Sequence, residues 1–292
     1  MRAIPFVFVA ALCCGTVVPQ DPKPTTPVVP SLEQLAARVD AAHHPDGPVP
    51  PVTAFRSHIE MHLIDTDREQ GGHVDLSVRF LQWTRPGSDV VRSLIRYEVL
   101  EAGSPIERGR DRNGPWQRFQ GKAQDLRKAE FADDLAAYER HTNLARQLLR
   151  FLDPGAVLRS LERPGAVRST TWQLGRAKIP CHAVAGELAA FPLLQQGGED
   201  GAVRLEVFVD AADGRLLGVE AMPIVDGVPA PQRLEQVRLL DLEARDGLLV
   251  PRSIVHLFRK ADGELHPYSR AVLTSLSLRP ELRAEDFDRP TD

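Results

Sequence analysis

Phe55-Arg-Ser-His-Ile-Glu-Met-His-Leu63 and, after a polar turn, His73-Val-Asp-Leu-Ser-Val-Arg-Phe80 change character at every residue. Ile59, Met61 and Leu63 alternate with His58, Glu60 and His62. Val74, Leu76, Val78 and Phe80 alternate with His73, Asp75, Ser77 and Arg79. A strand sends successive side chains to opposite faces, so this period of two predicts an antiparallel hairpin with one dry and one wet face. The next stretch repeats it, with Val91, Ile95, Tyr97 and Val99 set against Arg92, Arg96 and Glu98. The repetition predicts a meander.

Asp-Gly or Asn-Gly pairs begin at positions 46, 113, 213, 226, 246 and 262. Such pairs tolerate the positive φ that tight hairpin turns require. Residues 204–210 and 215–220 form the clearest flanking strands, followed by strands near 234–242, 248–258 and 268–278. The whole chain then reads as about ten or eleven strands.

Two helical segments interrupt this pattern. Ser31 and Gln34 form a capping box before Leu32, Leu35, Ala36 and Val39, which predicts an amphipathic helix to about residue 42. Its end, His43-His44 before Pro45, reads as a helix terminus favouring positive charge. Leu135, Tyr138, Thr142, Ala145, Leu149 and Leu152 recur three and four apart, a helical stripe. Asp153-Pro154 restarts a short helix carrying Val157, Leu158 and Leu161, and Pro164-Gly165 ends it. Lys128, Glu130, Asp133, Asp134, Arg140 and Arg150 predict a wet outer face for this segment.

Arg2 followed by the apolar run 4–12 reads as a signal peptide over residues 1–20, too short to anchor a helix that needs about 20 apolar residues. Residues 21–30 read as a Pro/Thr-rich linker and 31–292 as one half-barrel domain with a helical lid over 125–163. The expectation is export to the periplasm or cell envelope. Lipid attachment at Cys14 is the lesser alternative, since Ala11-Leu12-Cys13 before it is a poor lipoprotein signal. The net charge of −4 becomes −5 when Arg2 leaves, and 31 Arg against 5 Lys form no basic field. Nucleic acid is therefore not an expected partner. Loss of the signal leaves Cys181 alone, which reads as a small core residue.

The marks around this frame are the helix before the first strand, Arg110-Asp-Arg-Asn-Gly-Pro-Trp116, Val207-Phe-Val-Asp210 with Gly214, Gly247 and Pro251, and Leu282-Arg-Ala-Glu-Asp-Phe287 with Pro290. In this order they resemble the periplasmic lipoprotein-carrier (LolA-like) superfamily, over residues 32–290. The resemblance implies a mainly β (α+β) fold: a strongly bent antiparallel sheet forming an incomplete barrel, with helices on its concave side. It also implies a non-catalytic binder of an acyl chain, lipid or lipidated protein. An envelope protein partner and a monomeric state are further expectations. The dedicated carrier latches its lid with a cavity Arg, and no single Arg here is matched to it.

On this reading Val74, Leu76, Val78, Phe80, Ile95, Tyr97, Leu205, Val207, Val219, Ile254 and Phe258 line the concave sheet, with Leu135, Leu149 and Leu152 facing them. His141 and Thr142 are polar handles on the long helix, and His256 is a satisfied core or edge histidine. The alternative is a structural or sensory envelope scaffold whose barrel is filled by residues such as Phe80, Tyr97 and Phe258. No catalytic residue, metal or cofactor is expected. Neither a nucleophile elbow, a His-Glu-x-x-His helix nor a phosphate- or dinucleotide-binding Gly loop occurs. Cys181 and His182, adjacent on a strand, point to opposite faces. Asp65–Gly71 reads as a turn. His58, Glu60 and His62, with His73 and Asp75, read as a wetted sheet face.

Overall fold

In the computed structural model, the described residues are 29–50, 52, 54–63, 70–82, 91–101, 104–111, 113–194 and 201–290, the side chains of 63–105 and 284 excepted. The expected signal peptide, most of the linker, Cys14 and the 65–69 turn lie outside them.

Alternation becomes pairing throughout. The strands are β1 Ala54–Leu63, β2 Gln70–Gln82, β3 Val91–Glu101, β4 Ser104–Asp111, β5 Gly114–Phe119, β6 Lys122–Asp125, β7 Arg168–Leu174, β8 Ala177–Phe191, β9 Gly201–Asp210, β10 Leu216–Val225, β11 Val228–Pro229, β12 Glu235–Arg245, β13 Leu248–Arg259 and β14 Leu265–Leu278. The helices are α1 Leu32–His43, α2 Ala132–Leu152 and α3 Pro154–Arg159. The sheet runs β6-β5-β4-β3-β2-β1-β14-β13-β12-β10-β9-β8-β7, with β11 as a flap on β10. Two meanders, β1 to β6 and β7 to β14, are joined by antiparallel pairing of β1 with β14. The curved sheet is not closed: β6 and β7 remain its edges, and α2 and α3 are the chain between those edges. The fold class is the expected one.

The strand count exceeds the sequence expectation of ten or eleven because β4, β5 and β6 fit three short strands into residues 104–125. Gln120 (φ 49°) and Gly121 (φ 80°) make the last turn there without an Asn-Gly or Asp-Gly signature. At Asp226-Gly227 and Asp246-Gly247, by contrast, both residues adopt positive φ, as a tight hairpin turn requires. The segment 125–163 opens in strand β6 and a single 3-10 turn at Ala129–Phe131 before α2 begins.

Both bonds of the Ser31–Gln34 capping box form, at 3.2 and 2.9 Å. Leu35, Ala36 and Val39 of α1 join α2, α3 and one face of β8 to β14 in a single buried core. On the opposite face Trp172 packs against Phe208 with the rings tilted, their centroids 4.4 Å apart, over Cys181 and Ala183. Cys181 and His182 therefore lie on opposite faces, and burial pushes the Cys181 thiol up to about 11.

Candidate functional site: the concave face and its helices

The register defines the inner face. Val207 pairs with Val184 and Val219, Val237 with His256, and Ile254 with Leu239 and Ala271. Leu205, Val207, Val219, Ile254, Phe258 and Leu152 belong to the core cluster, with Leu135 and Leu149 half-buried against it. Of the fourteen expected lining residues, these eight are thus gathered between the second meander and the helices. The side chains of Val74, Leu76, Val78, Phe80, Ile95 and Tyr97 lie outside the described residues. Their backbone register sets Val74 opposite Ile59, and Leu76 between Ser57 and Tyr97.

The helical stripe is rotated from its sequence reading. The α2 residues buried most deeply are Tyr138, Asn143, Leu144, Ala145, Gln147, Leu148, Phe151 and Leu152, so Leu135 and Leu149 sit at the stripe's edge. Thr142 does not act as a handle; its hydroxyl donates to Tyr138 O at 2.9 Å. Burial lowers the His141 pKa to about 3, with Arg108 adding to the shift.

Two polar clusters missed by sequence reasoning interrupt the apolar face. In the first, Arg108 of β4 is buried and reaches across to α2, where it pairs with Asp134. Its Nε also donates to Gln117 Oε1 at 3.2 Å, and Gln117 Nε2 donates to Gln124 Oε1 and Asp134 Oδ2 at 2.9 and 3.2 Å. Ser57, Leu76, Tyr97, Arg108, Gln117 and Gln124 follow one another across the strands in register. Asp134, expected on the wet outer face, instead turns inward to a buried guanidinium. The reason is electrostatic: Arg108 on the dry face needs an anion, and α2 supplies one.

In the second cluster, Gln147 of α2 donates from Nε2 to Glu235 Oε1 at 2.8 Å and to Pro192 O at 2.6 Å. Glu235 Oε2 accepts from Leu194 N at 2.8 Å. His256 Nε2 donates to Gln147 Oε1 at 2.8 Å, leaving Nδ1 to accept from Ser269 Oγ at 3.2 Å. All four side chains are buried, and desolvation pushes the His256 pKa down to about 3. A serine bonded to Nδ1 of a histidine, with no solvent-exposed approach, is a structural bolt between sheet and helix.

A third buried histidine corrects the reading of the first helix end. His43 is neutral: Nε2 accepts from Leu216 N at 3.0 Å and Nδ1 donates to Leu249 O at 3.3 Å. Burial pushes its pKa to about 4.

No protein-family model and no curated protein matches the chain. Solved structures do. A DUF1329 family protein from Desulfovibrio piger is 10% identical, covering 88% of this chain and 95% of that one, with a TM-score of 0.47. A putative outer membrane lipoprotein-sorting protein domain from Vibrio parahaemolyticus is 9% identical (88% and 96% covered, TM-score 0.42). A LolA superfamily protein from Nitrosomonas europaea is 12% identical (88% and 97% covered, TM-score 0.40). At these identities and scores no ligand or partner passes from those proteins to this one.

Proposed function

We propose that this is an exported, non-catalytic binding protein whose ligand is apolar or amphipathic: an acyl chain, a lipid or a lipidated protein. The observation that carries the reading is the apolar inner face of an open sheet, against which all three helices pack. A ligand enters that face by displacing α2 and α3, with Leu152, Leu205, Val207, Val219, Ile254 and Phe258 as its first contacts. Arg108, held to Asp134, is our candidate for the latch that the sequence left unassigned. A 14-carbon chain buried there gains up to ~10 kcal/mol at about 0.8 kcal/mol per methylene, before the cost of association. Export follows from the signal-like residues 1–20. Among the described residues no helix is long and apolar enough to cross a membrane.

Native mass spectrometry of protein purified from a cell envelope tests this reading. We expect adducts of lipid mass and saturable binding of a fluorescent fatty acid. A clean apo mass with no fatty-acid binding sinks it. The scaffold reading is favoured by one specific observation, the Gln147–Glu235–His256–Ser269 bolt, which pins α2 to the sheet. That second outcome would make it the better account.

A further inference from the structure

The two free edges of the sheet are not alike. β6 is four residues long, begins with Lys122 and ends with Asp125, which is paired with Arg127. β7, Arg168-Ser-Thr-Thr-Trp-Gln-Leu174, has no proline and no charge after Arg168, whose guanidinium is paired with Glu206. Shortness, charge and proline are what ordinarily blunt an edge strand, and β7 lacks them from Ser169 onward. The ladder shows which of its groups face outward. Pro180 O accepts from Ala211 N at 3.1 Å on the β9 side of β8, and Ala185 O accepts from Gly165 N at 2.8 Å on the β7 side. Backbone groups of a strand alternate between its two neighbours, so Ile179 and Cys181 point to β7 while Pro180 and His182 point to β9. Trp172 and Thr170, opposite Ile179 and Cys181, thus bond to β8. Ser169, Thr171 and Gln173 turn their N–H and C=O groups outward. Their side chains are exposed, and among the described residues no backbone hydrogen bond reaches that side of β7.

We infer that β7 is the interface with a second copy of this chain, the two joined edge to edge about a two-fold axis through Thr171. Antiparallel pairing centred there sets Thr171 opposite its own counterpart, Ser169 opposite Gln173, Thr170 opposite Trp172 and Arg168 opposite Leu174. The three outward residues of each copy then satisfy one another with about six hydrogen bonds, the full complement of this edge. The contact is isologous and closes on itself. No like charges stand directly opposite, the condition that destabilises a strand pair. On the face away from the helices, half-buried Leu174 and Ile179 flank Trp172 and Phe208, and the pairing brings the two copies of this apolar cluster side by side. A two-fold axis perpendicular to the sheet keeps both helix-covered faces on one side, so the two inner faces are presented together. The pairing stands whatever those faces bind. Joining β7 of one copy to β6 of the next is instead heterologous and need not close; β6 offers it only four residues. The monomer expected from sequence takes no account of this edge, because only the assembled sheet shows which strand is left unpaired.

Sedimentation velocity of the full mature chain over a wide range of concentration tests the interface. We expect a reversible shift from the mass of one chain to that of two and no further growth, a readout that needs no variant. Thr171→Lys sets two ammonium groups opposite each other and is expected to weaken the dimer by at least about ten-fold. Val228→Lys, at an exposed apolar residue of the β11 flap, is expected to leave it unchanged. Cross-linking fixes the register. Directly opposite Cα atoms in a hydrogen-bonded pair are about 5.5 Å apart, within disulfide range, so Thr171→Cys is expected to form a covalent dimer on mild oxidation. Gln173→Cys, four residues out of register with its own counterpart, is expected not to. Cys181 is buried and does not compete. One-chain mass at every concentration overturns the inference, whether or not another protein's strand binds β7 instead. So does a dimer that survives Thr171→Lys, growth into open-ended oligomers, or equal cross-linking at positions 171 and 173.

Discussion

At the scale of single residues, the buried histidines make stability depend on pH in a fixed direction. His43 and His256 are held neutral, with pKa values of about 4 and about 3, whereas an unfolded histidine titrates near 6.5. Below pH 6.5 the unfolded chain binds protons that the folded chain refuses, so stability is full above that pH and falls as pH drops toward 4. Each histidine removes up to about 1.4 kcal/mol per pH unit in that window. Urea midpoints measured from pH 7.5 to 4.5 are expected to fall below 6.5, less steeply in His43→Gln; a flat profile would contradict neutral histidines. Gly218 offers a second residue-scale test. A Cβ there would meet the Val237 carbonyl and the Trp172 ring. Neither can withdraw without breaking the sheet or the Trp172–Phe208 contact. Gly218→Ala is expected to cost about 1–3 kcal/mol in chemical denaturation, as overpacking does. At Gly155 the obstacle is the tip of the Asp40 side chain, and Gly155→Ala should cost less.

At the scale of elements, α2 is the part whose fastening decides whether the inner face can open. Its stability comes from packing and from polar attachments: Asp134 to Arg108 near its start, Asn143 to the Leu193 carbonyl, and Gln147 to Glu235 and His256 further along. Helices held mainly by packing open at part of the global unfolding cost. Hydrogen exchange is therefore expected to be faster in residues 132–159 than in 203–221, slower once lipid is added, and faster in Asp134→Asn, which leaves the Arg108 charge buried without its carboxylate. Exchange as slow as the sheet's and indifferent to lipid would make α2 a fixed core element. The helical period was readable in the sequence, but which side of the stripe lies deepest was not. Leu135 and Leu149 fit the spacing as well as Leu144, Leu148 and Phe151 do, and only docking on the sheet chooses among them.

At the scale of the whole molecule, binding to the folded state alone raises its stability by about 2.7 kcal/mol when ligand stands at a hundred times its dissociation constant. The fatty-acid titration proposed above should thus also raise the thermal midpoint, and a midpoint unmoved by ligand would argue for the filled scaffold. By itself the sequence determined the elements that local periodicity governs: the β1–β2 hairpin, the capped α1, the turns at the Asp-Gly pairs, and the order of helix, strands, helices, strands. These are settled by neighbours a few residues apart. The tertiary structure alone decided what depends on partners far along the chain. It decided that Asp134 turns inward to Arg108, that His43 is a neutral bridge to Leu216 and Leu249, and that Gln147 meets His256, 109 residues away. A buried charge or imidazole takes its partner from whatever the fold brings within reach, and residue spacing along the chain carries no record of that.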